Sequence, residues 1–308
     1  MPFTEFNNLD FDQIKSSIKD YLRANSKFTD FDFEGSNFSI LIDTLAYNTY
    51  INAFNSNMIA NESFLDSATL RQNVVGLARN IGYVPKSRKS ARAVISFEVF
   101  LNGVDSQTLT LKSGLVCTGN TNNTSYVFSI PEDITVQTID FGTTKLATFD
   151  AISVYEGISL RKSYTVDTSI EQKFELQNSY IDTDSIRVYV KGQNETGRGK
   201  EYNVVDNITD IDSTSEIFLI QEIKDETYEV IFGDGVFGKK LENGSVITIE
   251  YIVTNGEEGN GVRNLAFAGS LQYADQDGNL RLAQSDEPIV INTILSSREG
   301  SSIESVDS

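Results

Sequence analysis

The sequence predicts an α+β protein, an N-terminal three-helix arm followed by antiparallel β-sandwich or barrel modules. Three observations carry this. Apolar residues recur with a helical period as far as Ile81. From Ala93 the period changes to two. Beyond it, short strand-like segments are punctuated by glycine turns with no helical stripe between them, which indicates sheet modules rather than alternating β-α units.

Residues 10–24 place Ile14, Ile18, Tyr21 and Leu22 on one helical face, with Asp10 or Asp12 near the start. Residues 27–35 read as a polar and aromatic loop (Phe28, Phe31, Phe33) ending in Gly35. A second helix begins near Ser36 and spans about 37 Å at 1.5 Å per residue. Phe38, Leu41, Ile42, Leu45, Ile51 and Phe54 or Met58 mark its apolar stripe. Its other face carries Asn48, Asn52, Asn55 and Asn57, where Lys and Glu would be usual on a solvated helix. An interface and a merely solvated face both remain open for it.

A third helix is expected from about Asp66 to Ile81, with Leu70, Val74, Leu77, Ala78 and Ile81 in register. Asp66 or Ser67 would cap it, and Gly82 and Pro85 would end it. Lys86, Arg88, Lys89 and Arg92 follow as a basic linker. It can grip an acidic neighbour, but a soluble hinge is the preferred account.

Val94–Phe100 alternates and meets the turn Asn102-Gly103. Further strands are expected at 107–111, 115–118, 125–129, 134–139, 146–155 and 160–166, then at 172–177, 186–191, 201–205, 216–222, 227–232 and 246–253. No internal repeat is present. The expected domains are 1–90, a helical arm for assembly; 91–170, a first β module; 171–285, a second; and 286–308, the start of a further C-terminal region that stops short.

Composition removes whole classes of chemistry. The 308 residues contain no His, no Trp and one cysteine, Cys117. Zinc fingers, Ser-His-Asp and Cys-His catalysis and intramolecular disulfides are thereby excluded. The formal net charge of −19 opposes binding to nucleic acid or to an anionic membrane surface. The charge is uneven: residues 1–90 carry net −1 and residues 171–258 carry net −11. Neither a signal peptide nor a membrane-spanning run is visible.

Three motifs bear on chemistry. Gly233-Asp-Gly-Val-Phe-Gly238-Lys239-Lys240 matches a phosphate-binding loop until Lys240, where Ser or Thr should hold Mg²⁺, and a strand follows instead of a helix. Gly233, Gly235 and Gly238 are therefore expected as structural turn residues able to take positive φ. Asp275-Gln-Asp277-Gly278-Asn279 lacks the spacing of a calcium loop and reads as a polar hairpin turn. Carboxylate pairing of the glycosidase kind carries no information with 44 acidic residues present. No catalytic, cofactor or metal residue is assigned.

Two groups of segments carry a resemblance. One is Gly35-Ser-Asn-Phe-Ser-Ile-Leu-Ile-Asp-Thr-Leu-Ala-Tyr-Asn48 with Asn61-Glu-Ser-Phe-Leu-Asp-Ser-Ala68 and Leu77-Ala-Arg-Asn-Ile-Gly-Tyr-Val-Pro85. The other is Ile231-Phe-Gly-Asp-Gly-Val-Phe-Gly-Lys239 with Gly244-Ser-Val-Ile-Thr-Ile-Glu-Tyr251 and Asn255-Gly-Glu-Glu-Gly-Asn260. Together they resemble the baseplate J-like family, in particular the wedge proteins of T-even-type contractile-tailed bacteriophages. The resemblance implies a non-enzymatic structural subunit of the virion tail baseplate, assembled in the bacterial host cytoplasm. It also implies a homodimer within a wedge, helices bundled with other wedge subunits, and tail hub or sheath-initiating proteins nearby. Such a subunit would link wedges into the ring around the hub and relay its conformational change to the sheath. The residues expected at the partner interface are Leu41, Leu45, Asn48, Ile51, Asn52, Phe54, Asn55 and Met58. The alternative is a β-rich receptor- or polysaccharide-binding tail protein.

Overall fold

The computed structural model describes residues 10–24, 37–81, 83–205, 211–223 and 226–305. It divides into two compact units, residues 1–85 and 86–306. The class is α+β, with the helices first and mostly antiparallel sheets after them.

The helical unit contains α1 (Phe11–Ala24), α2 (Asn37–Glu62) and α3 (Arg71–Asn80). Asp10 caps α1, its Oδ1 accepting the N–H groups of Asp12 and Gln13. Lys15 of α1 pairs with Asp43 of α2 at 2.6 Å. Tyr21, expected on the packed face, is exposed. The reason is geometric: Phe11, Ile14, Ile18 and Leu22 already form a continuous half-buried stripe.

α3 starts later than expected, and Asp66 and Ser67 do not cap it. Residues 63–70 form turns instead, and Glu62, the last residue of α2, takes over the cap. Its carboxylate accepts hydrogen bonds from Thr69 N–H and Oγ1, from Leu70 N–H and from Asn73 Nδ2. Burial would raise this carboxyl, but those donors outweigh it and hold it down to about 2. Val75 and Ala78 are the buried residues of α3, whereas Leu70 and Ile81 are exposed. Phe28, Phe31, Phe33, Gly35 and Gly82 lie outside the described residues.

The second unit holds two sheets. A ten-stranded sheet combines β1 (Arg92–Asn102), β2 (Thr108–Leu111), β3 (Gly114–Thr121), β4 (Thr124–Ile130), β5 (Ile134–Phe141) and β6 (Thr144–Glu156) with the four last strands of the chain. Those are β14 (Leu265–Phe267), β15 (Leu271–Ala274), β16 (Leu280–Ala283) and β17 (Asn292–Arg298). A seven-stranded sheet comprises β7 (Ile158–Thr165), β8 (Phe174–Leu176), β9 (Ile181–Lys191), β10 (Lys200–Val204), β11 (Ile217–Glu222), β12 (Tyr228–Phe232) and β13 (Val246–Val253). Among the described residues the strand pair β10–β11 is parallel and every other strand pair is antiparallel, with one isolated parallel bridge, Gly233–Lys240.

The seven-stranded sheet is therefore an insertion between β6 and β14. Borders at 170/171 and 285/286 cut across both sheets. β7 belongs with the insertion, β14–β16 return to the first sheet, and β17 pairs with β1. Each sheet has its own core. Phe97 stacks on Phe149 at 4.8 Å among Ile95, Val99 and Phe128 in the first, and Leu176, Ile186, Val188, Phe218 and Ile249 fill the second. Buried Glu250 of β13 is held between Arg161 and Arg198, and Arg198 lies over the Tyr189 ring at 3.9 Å.

The basic linker is not a free hinge. Arg88 pairs with Glu226 at 3.1 Å, Lys89 forms a backbone bridge with Ser301, and Arg92 donates to Ser153 Oγ.

Candidate partner interface

α2 has apolar residues on every side, so no single stripe can bury them all. The side packed within the helical unit is small or polar apart from Ile42: Ser39, Ile42, Ala46, Asn57 and Asn61 are its buried members. This reverses the sequence expectation, in which Phe38, Leu41 and Leu45 shared the apolar stripe with Ile42 and Asn57 lay on the outer face. Of these, Ile42 alone turns inward, and Asn57 is buried with it.

The outer side carries two neighbouring rows. Leu41, Leu45, Asn48, Asn52, Asn55 and Ile59 follow the spacing 4, 3, 4, 3, 4 along one, and Ile40, Thr44, Tyr47, Ile51, Phe54 and Met58 along the other. Leu45 is 55% exposed and Ile59 68%. All eight residues expected at the interface fall in these rows. Seven are exposed and Ile51 is half-buried. Ile40, Tyr47 and Ile59 are exposed beside them. A helix apolar all round must face something on both sides.

Several polar groups on this surface are bonded within the helix. Thr44, Thr49, Ser56 and Ser63 hydroxyls donate to the carbonyls of Ile40, Leu45, Asn52 and Ile59. Asn52 Nδ2 donates to Asn48 Oδ1 at 3.1 Å. Covering such a face leaves these groups bonded, so it avoids the desolvation cost of a bare polar surface.

The two motifs of the β unit are structural. In the Gly233–Lys240 segment, Asp234 Oδ1 accepts the N–H groups of Val236 and Phe237, each at 2.8 Å, which lowers its pKa below the usual carboxylate range. Gly235 N–H donates to Gly238 O, and a Cβ on Gly233 would lie 2.2 Å from Gly238 C. Gly235 and Gly238 have φ of +94° and +81°, while Gly233 is required for close backbone approach and not for positive φ. Asp275 closes the β15–β16 hairpin. It accepts the N–H groups of Asp277 and Asn279 and the guanidinium of Arg281. Among the described residues no three or more His, Cys, Asp or Glu side chains gather as a metal-holding group. No helix there is long and apolar enough to cross a membrane.

Asn255-Gly-Glu-Glu-Gly-Asn260 sits where the chain leaves the inserted sheet. Buried Glu156 accepts Thr254 Oγ1 at 2.6 Å, Asn255 Nδ2 at 2.7 Å and Asn255 N–H at 3.0 Å. Gly256 and Gly259 leave room for Ser301 and for the Glu156 side chain. This junction was not assigned from the sequence, because its partners are about a hundred residues apart.

Comparison with known proteins follows the same division. The model of the gp6-like baseplate wedge protein helical domain matches residues 10–83. The model of the third domain of bacteriophage baseplate wedge protein gp6 matches residues 159–256, which brackets the inserted sheet. Baseplate wedge protein gp6 of Enterobacteria phage T4 is 29% identical over 280 residues, covering 85% of this chain and 40% of that protein. The chain thus spans about two fifths of the length of that relative. A helical domain followed by an inserted β domain, each matching a gp6 domain model, and similarity along most of its length make the chain similar to the gp6-like baseplate wedge proteins of T4-like phages.

Proposed function

We propose that this chain is a structural subunit of the tail baseplate that performs no catalytic step and works through contact. Its helical unit is the docking element, and its partners are other wedge subunits, including a second copy of itself. Joined in this way, wedges close into a ring around the hub, and rearrangement of the ring is passed on to the sheath. The observation that carries the proposal is the outer side of α2, where large apolar side chains stand exposed while the buried side, Ile42 apart, is small or polar. An uncovered helix of this kind is stabilised by completing its burial against other helices. The near-neutral charge of residues 1–90 favours close packing there, whereas the acidic β region keeps unassembled subunits apart.

The test is co-elution of the full chain with the other wedge proteins of its phage. Leu45→Asp and Ile51→Asp should abolish assembly while far-UV circular dichroism keeps its helix and strand signals. If both variants still assemble, or if the parent chain remains monomeric with every wedge protein, the proposal fails.

A further inference from the structure

The inserted sheet is tied to the ten-stranded sheet by two chain crossings, Glu156–Ile158 and Val253–Gly256. Each crossing contains a glycine at positive φ, Gly157 at +126° and Gly256 at +69°. The two glycine-bearing strands make a neck, braced across by Glu156 to Thr254 and Asn255 and along β4 by Gly157 N–H to Val127 O. A third tie is present, contributed by the segment that precedes β1.

Residues 86–91 lie between the two sheets' outlying segments and bond to both. Toward the ten-stranded sheet the bonds involve backbone. Lys89 and Ser301 exchange N–H···O bonds at 3.1 Å, Lys86 N–H donates to Glu304 Oε2 at 2.8 Å, and Glu156 N–H donates to Ala91 O at 2.7 Å. Toward the inserted sheet they rest on side chains. Ser87 Oγ meets Thr183 Oγ1 at 2.7 Å and accepts Thr183 N–H at 3.0 Å. Ser90 N–H donates to buried Asp182 Oδ2 at 2.9 Å. Arg88 pairs with Glu226 and lies over the Tyr180 ring at 4.1 Å.

We propose that residues 86–91 form a clamp that fixes the angle between the two sheets, and that loss of the Ser87 and Arg88 contacts frees the inserted sheet to turn on its neck. The clamp is asymmetric. Its backbone half is built like a strand pairing and stays in place. Its other half consists of short polar contacts and two ion pairs, Arg88–Glu226 and Lys89–Asp184, which release without unfolding either core. The inference is independent of which partners the helical unit takes.

Residual dipolar couplings measured on the full chain test this. For the parent chain, one alignment tensor should fit the amides of both sheets. In Ser87→Ala/Arg88→Ala the shared tensor should be lost, while each sheet's couplings still fit its own structure. One tensor for both sheets in that variant overturns the clamp. A second chain guards against misfolding of the first: Arg88→Ala with Ser87→Cys and Thr183→Cys, compared bridged and reduced. A single tensor when bridged and two when reduced supports the clamp, and a single tensor in both forms overturns it.

Discussion

Asn73 Nδ2 donates to Glu62 Oε2 at 2.7 Å, so the side chain that ends α2 also starts α3. Glu62→Gln should weaken the helical unit by about 0.5–2 kcal/mol, the usual cost of losing a cap. The pH dependence has a definite sign. The folded carboxyl lies near 2 against an ordinary 4.5, so its contribution is whole above 4.5 and is lost as pH falls from there toward 2. Thermal unfolding of parent and Glu62→Gln should therefore differ at pH 6 and converge near pH 2.

Ile42 and Leu45 lie three residues apart on α2 and should respond very differently. Ile42 is 2% exposed, so Ile42→Ala should cost about 2–4 kcal/mol of stability within the free chain. Leu45→Ala should change the free chain's stability by less than about 0.5 kcal/mol, as for other surface positions. Chemical denaturation of the isolated chain separates the two, and equal losses would mean that the outer side is already covered.

Gly233→Ala places a methyl group against the backbone of Gly238 and should cost at least about 1–3 kcal/mol, because neither strand end can yield. Val236 at the tip of the same turn is 82% exposed, and Val236→Ser should be close to neutral in a melting experiment.

Glu156→Ala leaves Thr254 Oγ1 and two donors of Asn255 without their acceptor, each costing about 1–3 kcal/mol when buried. The expected loss is several kcal/mol in denaturant midpoint, with Glu156→Gln recovering part of it through its carbonyl oxygen.

Cys117 is fully buried, and burial pushes its thiol up to about 12. Alkylation by iodoacetamide at pH 8 should be negligible in the folded chain and should rise with denaturant in step with loss of the strand signal. Rapid reaction under native conditions would contradict this burial.

Local pattern carried much of the architecture. The helices, the change to period two at Ala93 and the strands through Val253 follow from side-chain spacing, which the chain cannot hide. The strands after Val253 were not expected, because Leu265–Phe267, Leu271–Ala274 and Leu280–Ala283 have three or four residues each and show little alternation. Their strand character comes from neighbours such as Leu111, Cys117 and Thr118, contributed far earlier in the chain. The cap of α3 was misjudged for a related reason: Glu62 reaches across a turn to it, so no residue adjacent to the helix is needed. On α2, the apolar residues could be picked out from the sequence, but which side packs inward depended on α1.

The pairing of Arg92 with Arg298 has a consequence for synthesis. At about 5–20 residues per second, a ribosome needs on the order of 10–40 s to produce β17 after β1 has emerged. Throughout that interval one edge of β1 has no mate, while β7 through β13 can pair among themselves. The order of maturation is thus set by connectivity: the inner module closes first, and the outer sheet is sealed last by a strand that arrives from beyond it. Its unpaired edge is the surface that a nascent chain must keep from its neighbours on the polysome.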